Sequence, residues 1–317
     1  MRVSQHTLVA AFWALLLAGL GLVLMPYAVV GDQQHYAAFY NYLAGLPIAD
    51  GLAFYKIKLG SSEPGYFFLV YLVCDWLPRE LFVTILNAFL YYNCFLWLSR
   101  RQVAWILYPL LACNFYLLVL SFSAERLKLA IVILLMAYSL RGVLRYVLLA
   151  FSLMSHVQVV MLLVAAQAER MARAAGEALR GRMGGEWISL CLVLLGGALL
   201  LFLMRDHVLS KLAAYSGVWG GADSLIKPLI FMALAVYYSR QKWGEALLAS
   251  LPLVVASYFV GSERVTIFSY FVFMYYAAPY RNGLNLGVIA TSVFFAYGGI
   301  GFLSRMIMFG DGFAGGY

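Results

Sequence analysis

Charge is scarce in this chain. Of its 317 residues, 11% are Asp, Glu, Lys or Arg, where soluble domains carry roughly 25%, so water is not the main solvent and a soluble globular fold is excluded. Cysteine is scarce too: Cys74, Cys94, Cys113 and Cys191 all lie inside apolar runs. They have neither metal-type spacing nor a disulfide framework, which leaves them core packing. The chain holds no Ser/His/Asp spacing, nucleotide-binding glycine motif, CxxC or Asp-x-Asp pair, so an enzyme built on it takes a membrane-delivered substrate. No period of roughly 20 to 50 residues repeats, so neither a solenoid nor an obvious inverted repeat is visible. The net charge of +8 does not indicate nucleic acid, because the basic residues are strung along short loops with no aromatic-interleaved patch.

What the chain has is apolar length. Hydrophobic residues make up 64% of it and the mean hydropathy is +0.86. A bilayer core takes about 20 apolar residues per helix, and long apolar runs extend from near Leu8 to near Leu303. The expected fold is all-α: a polytopic integral membrane protein of about ten to twelve helices, short broken ones included, in one transmembrane domain over residues 1–317. Helices are expected near 8–30, 81–98, 103–120, 127–140, 187–204, 224–239, 246–260, 265–278 and 286–303. The first run is too long for a secretory signal and lacks a small-residue cleavage site, so it reads as a retained helix.

Residues 63–99 and 146–169 have awkward lengths for whole crossings. With 63–77 as a partial helix and 146–169 as a hairpin of two half-helices meeting at Ser155-His156, the strongly basic loops share one face. These are Arg2, Arg100, Arg101, Arg141, Arg145, the basic loop 168–186, Arg240, Lys242 and Arg281, and the positive-inside rule makes that face cytoplasmic. The opposite choice for both segments puts Arg100, Arg101, Arg141 and Arg145 outside. The favoured topology gives the outer face residues 31–62, 121–125, Ser155-His156, 205–223, 261–263 and the tail from Ser304. In the first of these, Tyr36, Phe39, Tyr40 and Leu43 follow i, i+3, i+4, i+7 spacing. They predict an interfacial amphipathic helix with Asp32 as its N-cap.

Several polar residues on that face carry chemistry. Arg126 and Lys128, at the start of an apolar helix, read either as a phosphate clamp or as a snorkelling pair neutralised by Glu125. Arg264 follows Glu263 in the same way, as a second anion-binding arginine or as a local salt bridge. Glu63, before Pro64, reads as a helix-start carboxylate or as a general base, and Asp32 shares the ambiguity. His156, at a helix break in an apolar stretch, implies a polar cavity beside it.

These motifs in order resemble the EpsG-type, Wzy-like family of bacterial polysaccharide (O-antigen) polymerases. The likeness rests on Gly31-Asp32 with Tyr36, Glu63-Pro64-Gly65-Tyr66, Glu125-Arg126-Leu127-Lys128-Leu129-Ala130, Ser155-His156, Lys211 to Tyr215, and Glu263-Arg264. One departure is Leu127, where the family usually has Gln after the arginine. The resemblance implies a GT-C-like glycosyltransferase of the bacterial inner (cytoplasmic) membrane. Such an enzyme joins undecaprenyl-pyrophosphate-linked oligosaccharide repeat units into O-antigen or exopolysaccharide at the periplasmic face, with a chain-length regulator protein as a partner. It would use neither metal nor cofactor. Arg126 and Arg264, with Lys128 or Arg305, would hold the pyrophosphate leaving group. Glu63 or His156 would act as base, and Asp32, Tyr36 and Tyr215 would bind the sugar. Two other readings remain: a flippase of lipid-linked oligosaccharide, which should carry polar clusters on both faces, and a membrane acyltransferase, which would want an Asn or Asp near His156.

Overall fold

The computed structural model of the chain describes residues 4–181, 185–203, 205–206, 209–210, 213 and 221–314, which are helical with short turns and contain no strand. They fall into two compact units, Met1–His156 with Ile289–Tyr317, and Val157–Val288.

In the first unit α1 (Gln5–Leu24) is started by the Ser4 hydroxyl, which accepts from Thr7 N. Its buried face is Ala10, Ala14, Ala18 and Gly21, a stripe of small residues that lets a second helix approach closely. That helix is α5 (Arg79–Arg100); a Cβ on Gly21 would lie 3.3 Å from the Asn87 side-chain nitrogen. The pair is antiparallel. His6 Nδ1 lies 2.8 Å from Ser99 Oγ at one end, while Gly21 faces Asn87 towards the other; past the end of α1, Val29 N and Val30 N both donate to Gly310 O. Arg100 and Arg101 therefore sit at the opposite end of this unit from Asp32. The outward side of α1 is apolar, with Phe12, Leu15 and Val23 exposed.

Between these helices run α2 (Asp32–Leu43), α3 (Ile48–Leu59) and α4 (Pro64–Val73). The stripe of Tyr36, Phe39, Tyr40 and Leu43 on α2 is buried, as its spacing predicts, against Tyr55, Tyr66 and Phe67. Asp32 is not the cap of α2. Gly31 holds that place at φ 65°, with no side-chain cap bond, and its hydrogen faces the Asp311 carboxylate, which a Cβ would approach to 2.9 Å.

The stretch 103–120, expected as one helix, is two: α6 (Tyr108–Ala112) and α7 (Phe115–Phe122), with a 48° bend across the break from Trp105–Ala112 to Phe115–Phe122. Asn114 causes the break, because its side-chain oxygen accepts from Tyr116 N and Leu117 N and begins a new helix. Then follow α8 (Glu125–Ser139) and α9 (Val143–Ser155). α9 ends at Ser155, and His156 has extended backbone.

The second unit holds α10 (Val160–Ala166), α11 (Ala168–Leu179), α12 (Gly185–Leu203), α13 (Ile226–Ser239), α14 (Trp243–Val260) and α15 (Ser262–Ala277). Much of the region read as a basic loop, 168–186, is α11, which buries Ala168 and Ala174 and leaves Arg173 exposed; its alanine-rich sequence favours helix over loop. Arg240, at φ 51°, ends α13, and α13, α14 and α15 pack on one another. The last helix, α16 (Leu286–Phe309), leads to the tail.

Among the described residues four helical runs are long and apolar enough to cross a membrane, Gln5–Tyr27, Arg79–Arg100, Ala222–Val260 and Tyr280–Phe309, or five with the bent pair α6 and α7. The apolar helices Pro64–Val73, Val143–Ser155 and Val157–Ala166 are shorter. These are the helices of a multi-pass membrane protein.

Candidate active site

Pro64 occupies the first turn of α4 and leaves Glu63 as the residue before it, in extended backbone. The Glu63 carboxylate makes no capping bond to α4. It turns inward and is fully buried. A buried carboxylate costs several kcal/mol unless paired and hydrogen-bonded, and here three groups meet it. Arg126 NH1 lies 2.9 Å from Oε2, His156 Nδ1 lies 2.8 Å from Oε1, and the Ser61 hydroxyl donates to Oε2 at 3.0 Å. Tyr55 OH in turn donates to Ser61 Oγ at 3.2 Å.

Backbone proximity makes this meeting possible. A Cβ on Gly65 would stand 2.5 Å from Ser155 Oγ and 2.7 Å from Ser155 N, so α4 and α9 touch where glycine alone fits. Glu63 lies two residues before that contact and His156 one residue after it. A ring nitrogen facing a carboxylate carries a proton, so Nδ1–H donates to Glu63.

Arg126 leans the other way as well, donating from Nε to Tyr36 OH at 3.3 Å. Burial pushes the Tyr36 phenol above its ordinary pKa, against the opposing pull of Arg126, so Tyr36 stays a neutral acceptor. The Arg126 side chain is 16% exposed, and it lines an open recess of about 280 Å³, counting the space at its mouth, with Asp32, His35, Tyr36, Lys58 and Leu59.

A second ion pair lies beside the first. Glu125 is fully buried and takes Arg79 at 2.6 Å and the Tyr66 hydroxyl at 2.8 Å; Arg79 also donates to Gln33. The adjacent residues Glu125 and Arg126 are therefore not each other's partners: each pairs with a residue from a different helix. Arg79 Nε and Gln33 Nε2 remain buried without a hydrogen-bond partner.

The structure brings together Glu63, Arg126, His156 and Tyr36, and Asp32 shares the recess that Arg126 and Tyr36 line. Lys128 is elsewhere. It is fully buried on the inner side of α8, donating to Asn87 Oδ1 at 2.7 Å and to Ser121 O at 3.1 Å, which caps the end of α7. It is neither snorkelling nor paired with Glu125. Arg305 donates from Nε to Gly312 O at 2.8 Å and so ties down the tail. Arg264 is exposed near the start of α15 in the second unit, and the Glu263 beside it pairs with Lys227 at 2.6 Å. Tyr215 and Lys211 lie outside the described residues.

Sequence reasoning missed Arg79, Ser61 and the two recess residues His35 and Lys58, and it quoted Tyr66 in a motif without giving it a role. Nothing local marks Arg79, whose partner is 46 positions away; Ser61 could have been found as the polar neighbour of a buried carboxylate. Among the described residues no group of three His, Cys, Asp or Glu could hold a metal ion. No family model, curated protein or solved structure matches the chain.

Proposed function

We propose that this protein is a glycosyltransferase of the bacterial inner membrane that polymerises undecaprenyl-pyrophosphate-linked oligosaccharide repeat units into O-antigen or exopolysaccharide. In this reading it is a GT-C-like protein of about ten to twelve helices, short ones included, with its site at the periplasmic face. One observation carries the reading: a buried carboxylate, Glu63, holds a guanidinium and an imidazole in one cluster, and that guanidinium lines an open polar recess. Glycosyl transfer from a diphosphate needs a base for the attacking hydroxyl and a cation for the leaving group, and the cluster offers both. The orientation is supported by Arg100 and Arg101, at the opposite end of the first unit, where the positive-inside rule puts cytoplasm.

Glu63 orients His156 and balances its charge; His156 Nε2 takes the proton of the acceptor hydroxyl. The hydroxyl oxygen attacks the anomeric carbon of the donor, the bond from that carbon to the diphosphate oxygen breaks, and the electron pair leaves on the diphosphate. Arg126 neutralises the charge that develops there. Tyr36 holds the guanidinium in line, and Asp32 on the rim accepts sugar hydroxyls. Lys128 has no part in this chemistry, while Arg264 and Tyr215 enter it only as residues for the same assay.

The test is reconstitution in liposomes with undecaprenyl-pyrophosphate-linked repeat units, with the product resolved on a gel. The reading expects a ladder of lengthening glycans that vanishes in Arg126→Ala. Lipid-linked sugar that crosses the bilayer without lengthening makes the protein a flippase and overturns it.

A further inference from the structure

Lys58 matches none of the motifs in the sequence, yet it lines the recess with Arg126, from a different helix. It is half-buried, whereas Lys56 two positions earlier is exposed. Lys58 forms no ion pair or hydrogen bond with any described residue. An ammonium brought partly out of water with no partner costs free energy, and a bound anion would repay that cost.

The rest of the recess fits an anion with more than one charged group. Arg126 spends NH1 on Glu63 and Nε on Tyr36, which leaves further N–H donors on a partly exposed side chain. His35 adds a buried Nδ1 with no hydrogen-bond partner. Two cations on separate helices, α3 and α8, suit two phosphoryl groups joined by a flexible bridge better than a single one. Asp32, exposed on the same rim, repels an anion and keeps this one to the Lys58 and Arg126 side.

We propose that Lys58 is the second cation of a two-phosphate site, with Arg126 on one phosphoryl group and Lys58 on the other, so that the recess selects diphosphates over monophosphates. The inference rests on the glycosyltransferase reading for its donor, but it makes a binding claim that stands apart from turnover. A charge-assisted hydrogen bond contributes enough that its loss weakens binding roughly tenfold or more.

The experiment is calorimetric titration of the purified full-length protein in detergent with inorganic pyrophosphate, inorganic phosphate and a short prenyl diphosphate. The proteins are the wild type, Lys58→Gln, Lys58→Arg and Lys56→Gln. The expected result is that Lys58→Gln binds both diphosphates about tenfold more weakly and phosphate within about twofold of wild type, that Lys58→Arg restores diphosphate affinity, and that Lys56→Gln matches wild type. Tighter binding of the prenyl compound than of pyrophosphate makes the lipid headgroup the source of the anion; equal binding makes it free diphosphate. Unchanged diphosphate affinity in Lys58→Gln, or a wild type that prefers phosphate or binds no diphosphate, overturns the proposal. Loss of diphosphate binding in Lys58→Gln without glycan elongation by the wild type upholds Lys58 and sinks the polymerase reading. Elongation by a Lys58→Gln protein of wild-type diphosphate affinity does the reverse.

Discussion

Removing either half of the Glu63 and Arg126 pair should cost more stability than removing both. Glu63 is fully buried, so Arg126→Met strands a carboxylate without the guanidinium that balances its charge, and loss of one partner from a buried pair costs about 3–5 kcal/mol. Glu63→Met strands Arg126 instead, but that side chain is 16% exposed and can turn into the recess, so the lower end, about 3 kcal/mol, applies. In the double variant no charge is stranded. Apolar replacement of a buried ion pair is often neutral, and what remains is the lost acceptor for Ser61 and His156, about 1 kcal/mol each. The double variant should therefore lose about 2 kcal/mol, where additive penalties would give about 6 or more. Equilibrium unfolding of the four proteins in mixed micelles reads this directly. A double variant as unstable as the two single penalties combined would refute a direct, buried pairing of these residues.

Other perturbations test the frame around the site. Gly65→Ala would drive a Cβ to 2.5 Å from Ser155 Oγ, and overpacking of this kind costs about 1–3 kcal/mol; unfolding should show it, whereas Gly19→Ala, with nothing within 4 Å, should be neutral or stabilising. Asn114→Ala removes the acceptor for two amides at the start of α7 and should cost about 0.5–2 kcal/mol by the same measurement. Arg305→Ala should free the tail at Gly312 and speed hydrogen exchange of the Val29 and Val30 amides, which donate to Gly310 O; unchanged protection there would mean the tail is held without Arg305.

The sequence was most legible where local chemistry decides. The apolar run of α1, the buried stripe of α2, the start of α4 at Pro64 and the end of α9 at Ser155 are each written in neighbouring residues. Asn114 was hidden because one small polar side chain in an apolar run can either pack or cap, and only its backbone partners distinguish the two. Within the site, Glu63, Arg126 and His156 could be singled out because charge in a membrane protein needs a reason. Their connections could not. Glu125 looks like the partner of Arg126 or Lys128, yet it pairs with Arg79 because helix packing, not sequence distance, sets which charges share a buried volume. Lys128 and Arg126 differ by two positions, which on a helix points them to different sides, one into the core and one to the recess.

The measurement that bears most directly on the central claim is the release of undecaprenyl pyrophosphate per glycosidic linkage formed in liposomes, for wild type and for the Glu63→Met/Arg126→Met double variant. Wild type should release one lipid diphosphate for each linkage, and the folded double variant should release none. A double variant that forms linkages at the wild-type rate, or a wild type that consumes no lipid diphosphate, would contradict the assignment of this cluster as a glycosyl-transfer centre.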